Sequence, residues 1–279
     1  MQCSLGPFRD NFIQVYWRES KCGFKVNDSY YGSRDIPCIY ESYTILTDET
    51  VALRLNERWG ILNHKNQQIC SFVYDRIEPY YGDQCLIMSK GKWGIINATT
   101  GNVLVVPMYD QISRIDIKTR LLRYLPGEFW GSRYSTYYSV RIAYQNGKAF
   151  LLSDSGMLMS PKGYDNIVAL ILDGTGDDSI NIIVENNNKL GLLNKNGQVI
   201  TRCEYDEIKQ IEGYVNDDST FFCNIAVRKD KKWGLLGRRG KVIFDCDFED
   251  IKSVGSAIAL KHNSKWGILP LKTILSLNK

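Results

Sequence analysis

Two short signatures alternate along the chain at a nearly fixed step, and this restricts the fold more than any other property. One is a Trp-Gly pair, at Trp59-Gly60, Trp93-Gly94, Trp233-Gly234 and Trp266-Gly267, with Leu190-Gly191 as a worn copy. The other is an aromatic residue followed by an acid, with Ile two places after the acid: Tyr74-Asp75, Tyr109-Asp110, Tyr164-Asp165, Tyr205-Asp206 and Phe248-Glu249. From the first signature to the second the step is 15 residues three times (59 to 74, 190 to 205, 233 to 248) and 16 once (93 to 109). Such a period marks a repeat architecture, in which one unit cannot bury its apolar face without the next.

Degraded copies extend the count. Fifteen residues before Tyr164 lies Ala149, inside Gly147-Lys-Ala-Phe-Leu-Leu-Ser-Asp-Ser-Gly156, which parallels the segment from Gly91 to Gly101 with Trp-Gly lost. Near the start, Lys21-Cys22-Gly23-Phe24 and Pro37-Cys38-Ile39-Tyr40-Glu41 form another worn copy. Seven repeats result, running from about Phe12 to Leu277, within a single β domain spanning residues 1–279. The interval from the second signature to the next repeat is 19 residues (74 to 93) or 18 (248 to 266), but 40 from Tyr109 to Ala149. That junction therefore carries an insertion, placed at residues 116–138.

Local patterning predicts strands. In Lys241–Phe248, Val242, Phe244, Cys246 and Phe248 fall on one face and Lys241, Asp245 and Asp247 on the other, the alternation of a half-buried strand. Val103, Val105, Pro107 and Tyr109 repeat the pattern, as do Val199, Thr201, Cys203 and Tyr205. Gly-bearing turns (Asn97 to Gly101, Asn194 to Gly197, Gly237 to Gly240) join these strands to the Trp-Gly strands before them, with Gly where positive φ is needed. A further strand precedes each Trp-Gly, at 51–55, 84–88, 181–185, 221–228 and 257–261. Each repeat thus reads as a meander of about three strands, with Tyr-Asp-x-Ile starting a fourth. Only the stretch from Ile117 to Leu125 hints at a helix.

The glycine of the pair is expected to leave a backbone gap that a neighbouring ring covers. The acids (Glu41, Asp75, Asp110, Asp165, Asp206 and Glu249) are expected either to accept the indole N–H or to close a local Asx turn.

The segments Lys-Trp-Gly-Ile-Ile-Asn, Ile-Pro-Cys-Ile-Tyr-Glu and Tyr-Asp-x-Ile resemble the bacterial WG repeats, named for their Trp-Gly pair. The resemblance covers nearly the whole chain and implies a role in binding. It departs from the family pattern at Cys22, Ala149 and Leu190, which stand in place of Trp, and at the insertion. The fold class expected is all-β, a tandem array of about seven short antiparallel β-meanders. The 33- to 34-residue recurrence (233 to 266, 59 to 93) is short for four-stranded blades, which favours an open β-solenoid or superhelix; a seven-bladed β-propeller is the alternative.

Composition narrows function mainly by exclusion. A net charge of +4 permits weak attraction to polyanions without implying it. The N-terminus MQCSLGPFRD has no basic start followed by an apolar core, so no signal peptide is read and a cytoplasmic setting is expected. Eight cysteines without such a leader suit free thiols in a reducing compartment. Cys38, Cys203 and Cys246 each stand two places before the repeat's aromatic residue, and so read as equivalent small core residues. There is no Cys-x-x-Cys pair, phosphate loop or nucleotide fingerprint. Gly174-Thr-Gly-Asp-Asp178 reads as a solvated loop, and His64 and His262 have no Cys or Ser at a comparable motif position. No catalytic residue, cofactor or metal site is assigned.

The insertion is the candidate binding element. It gathers Lys118, Arg120, Arg123 and Arg133 beside Tyr124, Phe129, Trp130 and Tyr134. Tyr, Trp and Arg in one patch suit a protein–protein hot spot, whereas bases could stack on the aromatics with phosphates on the cations. The modest net charge favours a protein partner over a nucleic acid or other polyanion. The plain alternative is a loop packing its own aromatics onto the array. The sequence-level reading is a non-enzymatic scaffold that presents a repeat surface and this loop to a protein.

Overall fold

The computed structural model describes residues 4–5, 12–28, 32–121, 134–160, 162–172, 180–215 and 220–277. It contains seven β-sheets, in each of which the strands neighbour one another in chain order. The first comprises Ser4–Leu5, Phe12–Arg18, Lys21–Asp28 and Gly32–Tyr40; the second Ser42–Ile45, Thr50–Leu55, Arg58–Asn63 and Gln68–Tyr74. The third comprises Arg76–Tyr81, Gln84–Ser89, Lys92–Asn97 and Val103–Tyr109; the fourth Gln111–Leu121, Tyr134–Gln145 and Lys148–Leu152. The fifth holds Asn166–Leu172, Ile180–Asn186, Lys189–Asn194 and Val199–Tyr205. The sixth holds Glu207–Val215, Thr220–Lys229, Lys232–Leu236 and Val242–Phe248, and the seventh Asp250–Val254, Ala257–His262 and Lys265–Pro270. A short helix, α1 (Leu271–Leu277), follows.

The sheets are therefore tandem antiparallel meanders, with most holding four strands rather than about three. Tyr-Asp-x-Ile sits on the boundary: Tyr74 ends one sheet, and Ile77 lies in the first strand of the next. Four strands fit into Ser42–Tyr74 because the turns are minimal. Each turn before the Trp-Gly strand has two consecutive residues at positive φ, as at Asn56 (50°) and Glu57 (64°) or Asp230 (50°) and Lys231 (67°). Two such residues make the type I′ turn, whose twist matches that of antiparallel strands. The following turns place Gly101, Gly197 and Gly240 at positive φ as expected. The stretch 117–121 is strand, not helix; the one helix comes after Pro270, where no periodicity pointed.

The glycine of each pair has a clear cause. Opposite it the fourth strand bulges: Trp59 pairs with Tyr74 but Ile61 with Cys70, so two extra residues bow across Gly60. The same shift recurs at Trp93–Tyr109, Leu190–Tyr205, Trp233–Phe248 and Cys22–Tyr40. A Cβ at Gly191 would lie 2.9 Å from Thr201 O, and one at Gly234 2.8 Å from Phe244 O. A covering ring, the reason expected from sequence, is found only at Gly60 (Phe72) and Gly23 (Tyr16). Bulges also disturb simple alternation, which is why Val103, Val199 and Val242, placed on the apolar face by pattern, are exposed.

The chain forms two compact parts: Met1–Ile112 with Ala143–Gln145 and Asp154–Met157, and Ser113–Ile142 with Asn146–Ser153 and Leu158–Lys279. In each, the core lies between consecutive sheets. In the first part, Val15, Phe24, Ile36 and Tyr40 of the first sheet pack with Val51, Leu53 and Leu62 of the second. Ala52 and Ile61 of the second sheet pack with Ile77, Cys85, Ile87 and Ile96 of the third. In the other part, Ile171, Ile183 and Leu192 of the fifth sheet meet Ile208, Ile225 and Val227 of the sixth. Ile211 and Leu235 of the sixth sheet meet Ile251 and Ile258 of the seventh, with Leu271 and Ile274 of α1. One sheet thus completes the core of the one before it, with hydrophobic burial as the cohesive term.

Candidate functional site

The insertion is carried on the longest strands of the chain. Gln111–Leu121 has 11 residues and Tyr134–Gln145 has 12, against 6 and 6 for the equivalent pair in the third sheet. Lys118 and Arg120 fall in the first strand and Tyr134 at the start of the second. Arg123, Tyr124, Phe129, Trp130 and Arg133 lie outside the described residues, as do the side chains of the other three. Gly174–Asp178 likewise lies outside them.

The repeated acids have a different job from either one expected. Each reaches the type I′ turn of the following sheet. Asp75 Oδ2 accepts from Lys90 N–H (2.6 Å), Asp165 Oδ2 from Asn187 N–H (2.7 Å) and Asp206 Oδ2 from Asp230 N–H (3.1 Å). The longer Glu41 accepts from Asn56 N–H (3.0 Å) and Glu57 N–H (3.2 Å), and Glu249 from Ser264 N–H (3.0 Å). The other oxygen of Asp75, Asp165 and Asp206 pairs with the base just before the Trp-Gly position, Arg58, Lys148 and Lys189 respectively. Lys92 pairs with Asp110 in the same way. Each carboxylate therefore ties its own repeat to a left-handed turn in the next, holding non-glycine residues in a conformation they seldom adopt.

The Lys189 ammonium, as hydrogen-bond donor, holds the Asp206 carboxyl below the ordinary carboxylate range, and Lys148 does the same for Asp165. A folded-state value below the unfolded one contributes stability above about pH 4 that is lost as pH falls through the folded value. Asp206→Asn keeps an acceptor for the turn but loses the ion pair; Asp206→Ala loses both. Urea titrations at pH 7 should rank wild type above Asn above Ala. The gap between wild type and Asn should close as the pH is taken well below 4. Equal midpoints for all three forms at pH 7 would show that the clasp does not contribute.

The cysteines are likewise absorbed into the framework. Cys22, Cys38, Cys70, Cys85, Cys203 and Cys246 are free thiols. Cys38, Cys203 and Cys246 are half-buried rather than fully buried, because each lies near the bulge. Their thiols donate to carbonyls of the preceding strands, Cys38 to Lys21 O (2.8 Å), Cys203 to Val184 O (3.9 Å) and Cys246 to Val227 O (3.8 Å). Burial pushes the Cys22 and Cys70 thiols up to about 11 and Cys85 up to about 12, so these three are poor nucleophiles. His262 stacks edge-on against Phe248, with ring centroids 5.9 Å apart. Among the described residues no cluster of His, Cys, Asp and Glu could hold a metal ion, and no helix is long and apolar enough to cross a membrane.

Trp59, Trp93 and Trp233 all pair across to the aromatic that ends their sheet, Tyr74, Tyr109 and Phe248. Lys209 Nζ sits 3.9 Å from the ring centre of Trp233, and Lys252 Nζ 4.2 Å from that of Trp266, a favourable cation–π geometry. Trp266 differs in one respect: it lies on an outermost strand, and its ring is exposed.

The family model described as the WG containing repeat matches residues 59–93 and 191–233, each about one period long. No curated protein sequence matches the chain at a significant level. Among solved structures, the chain is similar to a eukaryotic initiation factor, with 9% identity over 93% of this chain and 69% of that one, at a TM-score of 0.32. It is similar to BBS1N in complex with ARL6DN, with 10% identity over 96% and 90% of the two chains and a TM-score of 0.26. It is also similar to the WD40 β-propeller domain of Doa1, with 7% identity over 92% and 88% and a TM-score of 0.26.

Proposed function

This chain is a WG-repeat protein, and from that premise we propose that it is a non-enzymatic scaffold that binds a protein partner through the insertion at 116–138. The observation that carries the reading is the pair of elongated strands, Gln111–Leu121 and Tyr134–Gln145. The chain doubles the length of one hairpin and loads it with Lys118, Arg120, Arg123, Tyr124, Phe129, Trp130, Arg133 and Tyr134. That mixture suits the centre of a protein interface. The repeated acids and thiols support a non-catalytic role, since turn capping and strand packing already occupy them. Free, high-pKa cysteines fit a reducing bacterial cytoplasm.

The test is affinity capture with the intact chain beside a form lacking 116–138, each washed at low and high salt. The intact chain should retain a protein partner that the shortened form loses, with retention nearly unchanged by salt. Identical capture by both forms would remove the insertion from the site. Capture of nucleic acid that falls steeply with salt would assign a polyanion instead.

A further inference from the structure

The seventh sheet ends one strand short. In the second, third and fifth sheets an Asn after the Trp-Gly strand seeds the turn into the fourth strand. Asn63 Oδ1 accepts from Lys65 and Gln67 N–H, Asn97 Oδ1 from Thr99 and Thr100 N–H, and Asn194 Oδ1 from Asn196 and Gln198 N–H. Pro270 occupies that place in the seventh sheet, and the chain enters α1 instead. α1 buries Leu271 and Ile274 in the core shared with the sixth sheet and leaves the strand Lys265–Pro270 uncovered.

The consequence appears at one repeat position. Ile61, Ile95, Leu192 and Leu235, two places after Trp59, Trp93, Leu190 and Trp233, are each 0% exposed. Ile268, two places after Trp266, is 69% exposed, and Trp266 itself 44%. Gly267 has nothing closer to its Cβ position than Leu260 O at 4.0 Å, whereas other glycines of the series lie under a bulged strand. Among the described residues no carboxylate pairs with Lys265, although Arg58, Lys92 and Lys189 at its phase each hold the acid ending their own fourth strand. An open strand edge with apolar side chains and an unmatched cation is a template for strand addition.

We propose that Lys265–Pro270 docks an extended strand of another protein, antiparallel, bearing an aromatic residue followed by an acid and an apolar residue four places before the aromatic. The aromatic lies against Trp266, the apolar residue against Ile268, and the acid on Lys265. The chemistry is that of the chain's own fourth strands, in which Tyr74, Cys70 and Asp75 meet Trp59, Ile61 and Arg58. The docking edge adds a second place of attachment to the proposed scaffold and is independent of the insertion.

The probe is a labelled synthetic peptide of residues 241–251, with Cys246→Ser to prevent oxidation, titrated into the intact chain by fluorescence anisotropy. Saturable binding is expected, weakened at least ~10-fold (about 1.4 kcal/mol) when the peptide carries Phe248→Ser and Glu249→Lys. The protein variant Ile268→Lys should lose binding to a similar degree while keeping its melting temperature, since the side chain it replaces is already in water. Equal binding of both peptides, or binding unaffected by Ile268→Lys, would overturn the proposal. So would absence of binding, or a dimer of the chain that Ile268→Lys turns into monomer, which would make a second copy the occupant. Failure here leaves the insertion untouched, because the 116–138 deletion is scored on a different partner assay.

Discussion

Gly94→Ala should destabilise the chain by about 3 kcal/mol, near the top of the range for overpacking, while Gly267→Ala should change stability by less than about 0.5 kcal/mol. The two glycines occupy the same place in the sequence motif, each directly after Trp and before Ile. Their surroundings differ. A Cβ at Gly94 would strike Val105 O and lie 2.7 Å from Pro107 N, both backbone atoms of the bulged strand. Backbone cannot swing aside as a flexible side chain can, so relief requires the Lys92–Asn97 and Val103–Tyr109 pair to separate. That in turn loosens Val105 and Tyr109 in the core. At Gly267 no fourth strand is present, and alanine gains a little from reduced freedom of the unfolded chain. Urea unfolding followed by fluorescence would read both. Equal losses at the two sites would mean that the glycine serves the strand's own conformation and that the bulge is incidental.

The contrast also marks how far the residues could be read unaided. Seven repeats were legible because Trp-Gly and Tyr-Asp-x-Ile hold fixed places in every copy. Strands at 84–88 and 257–261 were legible by the same phasing, and the structure places strands at Gln84–Ser89 and Ala257–His262. The bulge was not legible, since its extra residues (Phe72 and Val73 in one copy, Arg202 and Cys203 in another) share no side-chain type. The acid's role was hidden for another reason. Asp75 and Lys90 stand 15 residues apart, so their contact depends on how one sheet is laid against the next, which local pattern does not encode. The bare edge had a sequence signal that went unread: Pro270 where other repeats have Asn63, Asn97 or Asn194. Proline lacks the N–H and the side-chain carbonyl that this turn uses.

A double-mutant cycle at Phe150 and Gly163 should show about 1–2 kcal/mol of coupling, within the range for residues in direct contact. The fourth repeat has lost Trp-Gly, with Ala149 and Phe150 in its place. Its third strand is nonetheless held to the following segment, since Ala149 N–H donates to Tyr164 O (2.7 Å) and Tyr164 N–H to Ala149 O (2.9 Å). The room that Gly supplies elsewhere has moved across the pair. Gly163 stands where other repeats carry Val73, Met108 or Asp247, and a Cβ there would lie 2.8 Å from Phe150 Cζ and 2.7 Å from Lys148 Cβ. Gly163→Ala in the wild-type chain should therefore cost about 2–3 kcal/mol. In a Phe150→Gly background, which restores the common arrangement, the same substitution should cost about half as much, the Lys148 contact remaining. Additive losses, within ~0.5 kcal/mol, would show that the ring and the glycine do not depend on each other. The fourth repeat would then be a worn copy held by its backbone bonds alone, rather than one in which a ring and a glycine have exchanged strands.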